Sequence, residues 1–343
     1  MYPDCRLGGD SVQKKMPEHS KKNVELSVVI VNYRTPHFII DCLETLLPEL
    51  SDINSRVVIV DNHSNDDSLN IICSWLVNHD HENIVLLLAS DKNAGFSAGN
   101  NIGIQAQSAN FYLLLNSDTL VHSGAVEILL QTADRYTDAG LISPRLEWED
   151  GKGQESCFRF HSPVGEFLIA AQTSVFTKFL SRFWVAMPVQ TAEIETQWTS
   201  FACVLIRSEV IDQIGLLDDG FFMYFEDEEF CLRATRAGWK IIHNPDSHVV
   251  HLRGGSSPVK EKTRLGKRVP RYFYESRTRF LYLAYGWAGL AFSNLLWWVG
   301  RSISKVRSIL GNNKKHNVER RWLDIWINFL NPLKAYTHPD DRR

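Results

Sequence analysis

The chain has 343 residues, 44% of them apolar, enough for one large α/β domain with appendages or for two modest domains. Its six cysteines form no CxxC pair, which argues against a zinc cluster or a disulfide framework and for a reducing cytoplasm. The net charge of −3 conceals an asymmetry: residues 1–251 carry 18 Lys and Arg against 34 Asp and Glu, and residues 252–343 carry 19 against 6, so an acidic body joins a basic tail.

Residues 1–23 have no apolar h-region and are rich in Lys, Asp, Ser and Gly, so they read as a disordered lead-in, not a signal peptide. Four apolar runs follow at similar spacing, at residues 26–31, 56–60, 83–88 and 111–115, and their composition predicts buried parallel strands. Between them the apolar residues take helical spacing, as in Ile39, Cys42, Leu43, Leu46 and Leu47. This βαβα alternation predicts a doubly wound sheet, which binds ligands at the carboxyl ends of its strands. Each of those ends is polar: Asn32 and Tyr33, then Asp61 and Asn62, then residues 91–95, then Asn116, Ser117 and Asp118.

After Leu146 the periodicity weakens, then resumes with a strand at 201–206 and a helix at 208–214. A helix is expected at 226–237, followed by strands near 240–243 and 249–251. Residues 280–300 hold no charged residue and are flanked by Arg277, Arg279, Arg301, Lys305 and Arg307. The stretch is long enough to span a membrane. Three glycines, Ser293 and Asn294 dilute it, and basic clusters lie on both sides, which favours an interfacial helix, with a helix packed on the preceding domain as the plain alternative.

Several of these segments can carry chemistry. Asn116, Ser117 and Asp118 taken alone read first as a turn or a helix N-cap, but a carboxylate at a strand end is also the anchor that Mg²⁺ or Mn²⁺ needs to bridge diphosphate oxygens. Asp61 could accept hydrogen bonds from a ribose or a pyrimidine, or make an Asx turn. In residues 93–101 the glycines permit close backbone approach to a phosphate, yet neither GxGxxG nor a Walker A pattern is present, which disfavours a dinucleotide oxidoreductase. Residues 221–229 set aromatic side chains against Glu226, Asp227, Glu228 and Glu229. This is either a solvated helix start or a base whose proton affinity is raised by partial desolvation. His251 opens a Gly-containing loop with Arg253 that suits a diphosphate.

Jointly, the blocks VVIVNYRT (28–35), VIVDNHSND (58–66), DKNAGFSAGNN (91–101), LLLNSDT (113–119) and FFMYFEDEEFCLRATRAGW (221–239), with His251 downstream, resemble the inverting GT-A-fold glycosyltransferases of family 2, especially the rhamnosyltransferase-like branch. The resemblance spans roughly residues 24–310. It implies a Rossmann-like, mostly parallel sheet flanked by helices, with a nucleotide-sugar half at 24–120 and an acceptor half at 121–258; the basic tail, by its charge and its uncharged stretch, reads as a helical extension at 259–343 that associates with membrane.

It also implies roles. Asn32, Tyr33, Asp61, Asn93, Gly95, Phe96, Asn100, Asn116, Ser117 and Asp118 would bind the donor, with Asp118 and His251 holding the Mg²⁺ or Mn²⁺ on its diphosphate. Asp227 would be the general base, Glu226 would orient base or acceptor, and Trp198, Phe222, Tyr224 and Glu226 would meet the acceptor. The family usually has a small residue before Leu205 where this chain has Ser200, Phe201 and Ala202, a departure that bears on the acceptor pocket. The first expected donor is dTDP-rhamnose and the second a UDP-sugar, with a lipid-linked saccharide as acceptor, on the cytoplasmic face of the plasma membrane.

Other classes fit less well. A nucleotidyltransferase needs a basic, Gly-rich triphosphate loop, which residues 32–36 do not supply. A noncatalytic carbohydrate-binding module has no use for a metal carboxylate, a diphosphate loop and a base together. The basic, Trp-containing tail could stack on nucleic acid, but its uncharged stretch argues for membrane and against that partner.

Overall fold

The computed structural model describes residues 23–253, 259–310 and 318–341. The lead-in expected at 1–23 lies, but for Asn23, outside these residues, as do Gly254 and Gly255 of the loop after His251.

The first half alternates strand and helix: β1 (Val24–Asn32), α1 (Pro36–Glu49), β2 (Ser55–Asp61), α2 (Ser68–Asn78), β3 (Val85–Ala89), α3 (Gly95–Ala106) and β4 (Ala109–Asn116). All four apolar runs are strands, ordered β3-β2-β1-β4 and parallel throughout. Val28, Ile30, Val57 and Ile59 on one face pack against Ile39, Leu43 and Leu46 of α1, fully buried. On the other face α3 lies close enough to β1 that a Cβ on Gly99 or Gly103 would strike the side chains of Val31 or Val29. Those glycines serve helix-on-sheet packing.

Next come β5 (Thr119–Val121), α4 (Ala125–Arg135), β6 (Ala139–Glu147), β7 (Cys157–Phe158), α5 (Pro163–Ala171), α6 (Ser174–Phe179), β8 (Ile194–Glu195), β9 (Trp198–Thr199), β10 (Cys203–Arg207), α7 (Ser208–Ile214), α8 (Glu226–Arg236) and β11 (Lys240–His251). The sheet continues from β4 through antiparallel β10 to β6, β11 and β5, making a mixed sheet on the parallel foundation. The two strands expected at 240–243 and 249–251 are one strand, parallel to β6, with a register shift between Asn244 and His248. β6 itself escaped the sequence reading because Gly140 and Pro144 interrupt its apolar run; Pro144 sits beside that shift, where a missing N–H is tolerated. Cys42, Cys157, Cys203 and Cys231 are buried free thiols. Cys73 is disulfide-bonded, a bridge that the scatter of the six cysteines did not announce.

The chain ends with α9 (Val259–Arg264), the long helix α10 (Arg271–Ile309) and α11 (Arg321–Asp324). Gly286 bends α10 with φ 66° and ψ −169°, angles that suit a residue without a Cβ. Among the described residues no helix is long and apolar enough to cross a membrane. One face of the uncharged stretch is buried through Leu290, Ser293, Asn294 and Trp297, the packed arrangement that was the plain alternative. The other face exposes Phe292, Leu295, Trp298 and Val299.

α10 is tied to α5 by a buried ion pair, Arg277 to Glu166 at 2.8 Å, each side chain 3% exposed, and Asn294 accepts a second Arg277 hydrogen bond at 2.9 Å. Burial alone would raise the Glu166 pKa, but Arg277 outweighs it and brings it below the ordinary carboxylate value.

Candidate active site

A cavity of about 590 Å³ opens at the carboxyl ends of the parallel strands. Tyr33 and Thr35 reach it from the loop after β1, Asn62 from the loop after β2, Asn93, Gly95 and Phe96 from the start of α3, and Asn116, Ser117 and Asp118 from the end of β4. The loops are bonded to one another: Asn62 Nδ2 donates to Asn93 Oδ1 at 2.9 Å and to the Gly95 carbonyl at 3.0 Å. The Thr35 and Ser117 hydroxyls meet at 3.2 Å. Gly95 has φ +89°, and a Cβ there would lie 2.1 Å from the Phe222 carbonyl, which also accepts the Phe96 N–H at 2.8 Å. Its glycine is therefore required by protein packing as well as by the ligand approach expected from the sequence.

Four predicted residues stand behind the wall. Asp61 is buried and its carboxylate is engaged by Asn32 Nδ2 at 2.6 Å, the Ser64 hydroxyl at 2.5 Å and the Ser64 N–H at 3.1 Å. It shapes the loop, while its neighbour Asn62 faces the cavity with a buried Oδ1 that has no protein partner. Asn32 belongs to the same network, and Asn100 caps its own helix turn by donating to the Phe96 carbonyl at 2.9 Å. Trp198 stacks on Phe158 at 4.2 Å and donates to the Arg159 carbonyl, so it is core and not part of the expected acceptor surface.

β11 pairs antiparallel with β5, setting His251 opposite Thr119 and beside Asp118. His251 Nε2 stands 3.5 Å from Asp118 Oδ1, and His251 Nδ1 is buried without a protein partner. Gln154 fixes the neighbourhood by donating to the His251 carbonyl at 2.7 Å while its Oε1 accepts from Arg253 Nε. Among the described residues no group of three or more His, Cys, Asp or Glu could form a metal cage. A carboxylate and an imidazole with an unpartnered nitrogen still suit a Mg²⁺ or Mn²⁺ whose remaining ligands come from phosphate and water, as these cations prefer.

The four consecutive carboxylates of α8 divide. Glu228 is fully buried and accepts from the His161 backbone N–H and from His161 Nδ1, and Glu229 accepts from Arg233 at 2.8 Å. Both are structural. Only Glu226 and Asp227 reach the cavity. They are aimed there by a turn in which Tyr224 and Phe225 both take positive φ, 72° and 69°, a strained pair of the kind found at functional sites.

Burial pushes the Asp227 carboxyl up to about 7, and the adjacent Glu228 carboxylate adds to the shift. Burial and the Asp227 charge together hold Glu226 well above the ordinary carboxylate range. Since the Asp227 charge is one of the causes that raise Glu226, Asp227 is the first of the pair to ionise. Glu226 Oε2 is buried with no protein partner, so a protonated Glu226 has a free position from which to donate.

Phe222 and Tyr224, expected to meet the acceptor, line the cavity. Lys262, Arg271 and Tyr272 from the C-terminal helices line it too, together with Thr337, His338, Pro339 and Asp340 near the chain's end. These residues carry no local motif and lie outside every block that suggested a site.

The sequence profile described as glycosyltransferase-like family 2 matches residues 23–268. The chain belongs to glycosyltransferase family 2. The glycosyltransferase is 28% identical over 256 residues to the N-acetylglucosaminyl-diphospho-decaprenol L-rhamnosyltransferase of Mycobacterium tuberculosis, covering 68% of this chain and 77% of that protein. It is 29% identical over 261 residues to the low-salt glycan biosynthesis hexosyltransferase Agl10 of Haloferax volcanii, 75% of each chain. With the dTDP-rhamnosyl transferase RfbF of Shigella flexneri it shares 23% over 272 residues, 76% of this chain and 80% of that one.

Among solved structures, GalNAc-T7 with UDP, GalNAc and Mn²⁺ superposes with a TM-score of 0.53 at 15% identity, over 92% of this chain and 59% of that one. The Staphylococcus aureus TarS fragment 1–349 superposes with a TM-score of 0.51 at 17% identity, over 90% and 81%. The fold is GT-A, as the resemblance implied.

Proposed function

We propose that this glycosyltransferase is inverting and metal-dependent, and that it moves a sugar, L-rhamnose from dTDP-rhamnose before any UDP-sugar, onto a lipid-linked saccharide in cell-surface glycan synthesis. One observation carries the reading: of four neighbouring carboxylates, the two that face the cavity share it with Asp118 and His251. Asp227, ionised near neutrality, takes the proton of the acceptor hydroxyl, and that oxygen attacks the anomeric carbon on the face opposite the diphosphate. A single displacement of this kind inverts the centre through an oxocarbenium-like transition state.

Glu226, with its unpartnered Oε2 buried at the cavity, orients the acceptor. Arg253, Lys262 and Arg271 face the charge that develops on the departing diphosphate. Asp118 and His251 would hold the divalent cation, which when bound neutralises the same charge.

The rhamnosyl donor and lipid-linked acceptor are supported by the names of the relatives from M. tuberculosis and S. flexneri. Membrane association, on the cytoplasmic face expected from the sequence, is supported by the exposed apolar face of α10, with Arg301, Lys305 and Arg307 following it. The test is a panel of dTDP- and UDP-sugars with a polyprenyl-diphosphate-linked saccharide acceptor, read by mass spectrometry with Mn²⁺ and with EDTA. Transfer from dTDP-rhamnose that EDTA abolishes is expected; transfer undiminished by EDTA, or from none of these donors, sinks the reading.

A further inference from the structure

Residues 335–340 cross from the C-terminal helices to the nucleotide-binding rim. The Tyr336 hydroxyl donates to the Ala94 carbonyl at 3.0 Å, and His338 Nε2 meets the Asn93 carbonyl at 2.9 Å. A carbonyl only accepts, so Nε2 carries the proton, which leaves Nδ1 to accept the Asp340 N–H at 3.2 Å. The two carbonyls gripped in this way belong to the loop whose Asn93 side chain bonds Asn62 and whose Gly95 packs on Phe222.

Phe222 is the shared platform: its ring lies 5.2 Å from Tyr336, 5.4 Å from His338 and 5.3 Å from Tyr272. Between Tyr336 and His338 the Thr337 N–H and hydroxyl donate to the two oxygens of buried Glu275, at 2.9 and 3.0 Å, and Glu275 also accepts from Arg271 at 2.6 Å. Consecutive residues of the crossing segment are therefore bonded to the loop and to α10 in turn, and Thr337, His338, Pro339 and Asp340 line the cavity.

We propose that this C-terminal strap is the outer wall of the nucleoside subsite, with Tyr336 and His338 as positioning residues that hold the loop of residues 93–95 against the base and ribose of the donor. The proposal rests on the donor reading given above. A nucleoside is the part of the donor that fits: the hydroxyls of Tyr336 and Thr337 and both His338 nitrogens are bonded within the protein, so the strap and Phe222 offer the cavity ring faces, and the Asp340 carboxylate beside them disfavours a diphosphate there. The cavity-lining cations outside this network, suited to the diphosphate, are Arg253 and Lys262, whereas Arg271 is paired with Glu275 beneath Thr337. Two hydrogen bonds to backbone carbonyls fix the loop without spending any side chain of the rim itself.

The experiment is calorimetry of the full chain with dTDP, UDP and inorganic pyrophosphate, each with Mn²⁺, beside donor kinetics. His338→Ala should weaken nucleotide binding by about five- to tenfold and raise the donor KM equally at nearly constant kcat, the effect of one lost positioning bond. Pyrophosphate affinity and the melting temperature should not change. His338→Gln, whose amide can still donate to Asn93, should recover most of the loss, and Tyr336→Phe, which keeps the ring on Phe222, should show a smaller defect of the same kind. Unchanged nucleotide affinity in both His338→Ala and Tyr336→Phe overturns the proposal, as does an equal loss of nucleotide and pyrophosphate. A wild-type chain that binds neither nucleotide would instead overturn the donor reading, and the strap's role with it.

Discussion

The rim of the cavity built by the β1–β4 half and the wall built by α8, α10 and the tail are held by bonds of different reach. On the rim, Asp61 is organised by Ser64 three residues on and by Asn32 on the neighbouring strand, and Asn62 is bonded to the next loop at Asn93 and Gly95. On the wall, Glu228 is fixed by His161, Arg277 by Glu166, and Thr337 by Glu275, each joining elements far apart in the chain. Adjacent parallel strands give the rim its geometry, so short motifs suffice there. The wall exists only once separate helices have docked, and its charged residues are exact in placement only if those dockings hold.

The largest expected effect tests the wall. Asp227→Asn preserves shape but cannot accept a proton, so kcat should fall by roughly 100- to 10,000-fold while donor affinity barely moves. If Asp227→Asn transfers normally and Glu226→Gln is dead, the two have exchanged roles. Next comes the rim: Asp118→Ala should lose the metal-dependent part of donor binding by calorimetry with Mn²⁺, and wild-type affinity there would reduce residues 116–118 to a turn.

The dependence of the wall on distant bonds is sharpened by Arg277→Ala, which leaves Glu166 buried and unpaired. Such a break costs about 3–5 kcal/mol, to be read from urea unfolding. A loss below about 1 kcal/mol would show that α10 holds its place without the pair.

A smaller effect follows from the Asp227 carboxyl, raised by burial to about 7. Since the base must be ionised, kcat/KM should fall about tenfold per pH unit on the acid side of 7. The sign for stability is opposite: a carboxyl whose folded pKa exceeds its unfolded value favours the fold below the unfolded pKa and loses that contribution as pH rises through 7. Asp227→Asn should therefore raise the melting temperature at pH 8 and give no gain below about pH 4. An unchanged melting temperature at pH 8 would argue against the raised value.

The least effect on catalysis and fold is expected from Leu295→Glu with Val299→Glu on the exposed face of α10. The pair should reduce flotation with anionic liposomes while activity on a soluble acceptor analogue persists. Flotation equal to wild type would mean that this face does not meet lipid.

Much of the β1–β4 half was legible because strand periodicity is local: the apolar runs and the polar residue ending each of them are fixed by neighbours in the chain. β6 was not, since Gly140 and Pro144 disguise a strand that only pairing with β10 and β11 makes necessary. Trp198 was expected at the acceptor from the family resemblance, but it is buried against Phe158. The α8 cluster shows the limit most clearly. Its sequence says that four carboxylates begin a helix and sets Arg233 four residues after Glu229, but nothing in it says that distant His161 takes Glu228 out of play.

By itself, then, the chain's order of residues determined the parallel foundation, the rim loops and the candidate carboxylates, because each depends on periodicity or on a motif a few residues long. Which carboxylates face the cavity, that His251 stands beside Asp118, and that Thr337 and His338 line the same cavity were decided only by tertiary structure. Those facts come from packing between elements as far apart as Asn93 and His338, and no local pattern encodes a contact whose partner is elsewhere in the chain.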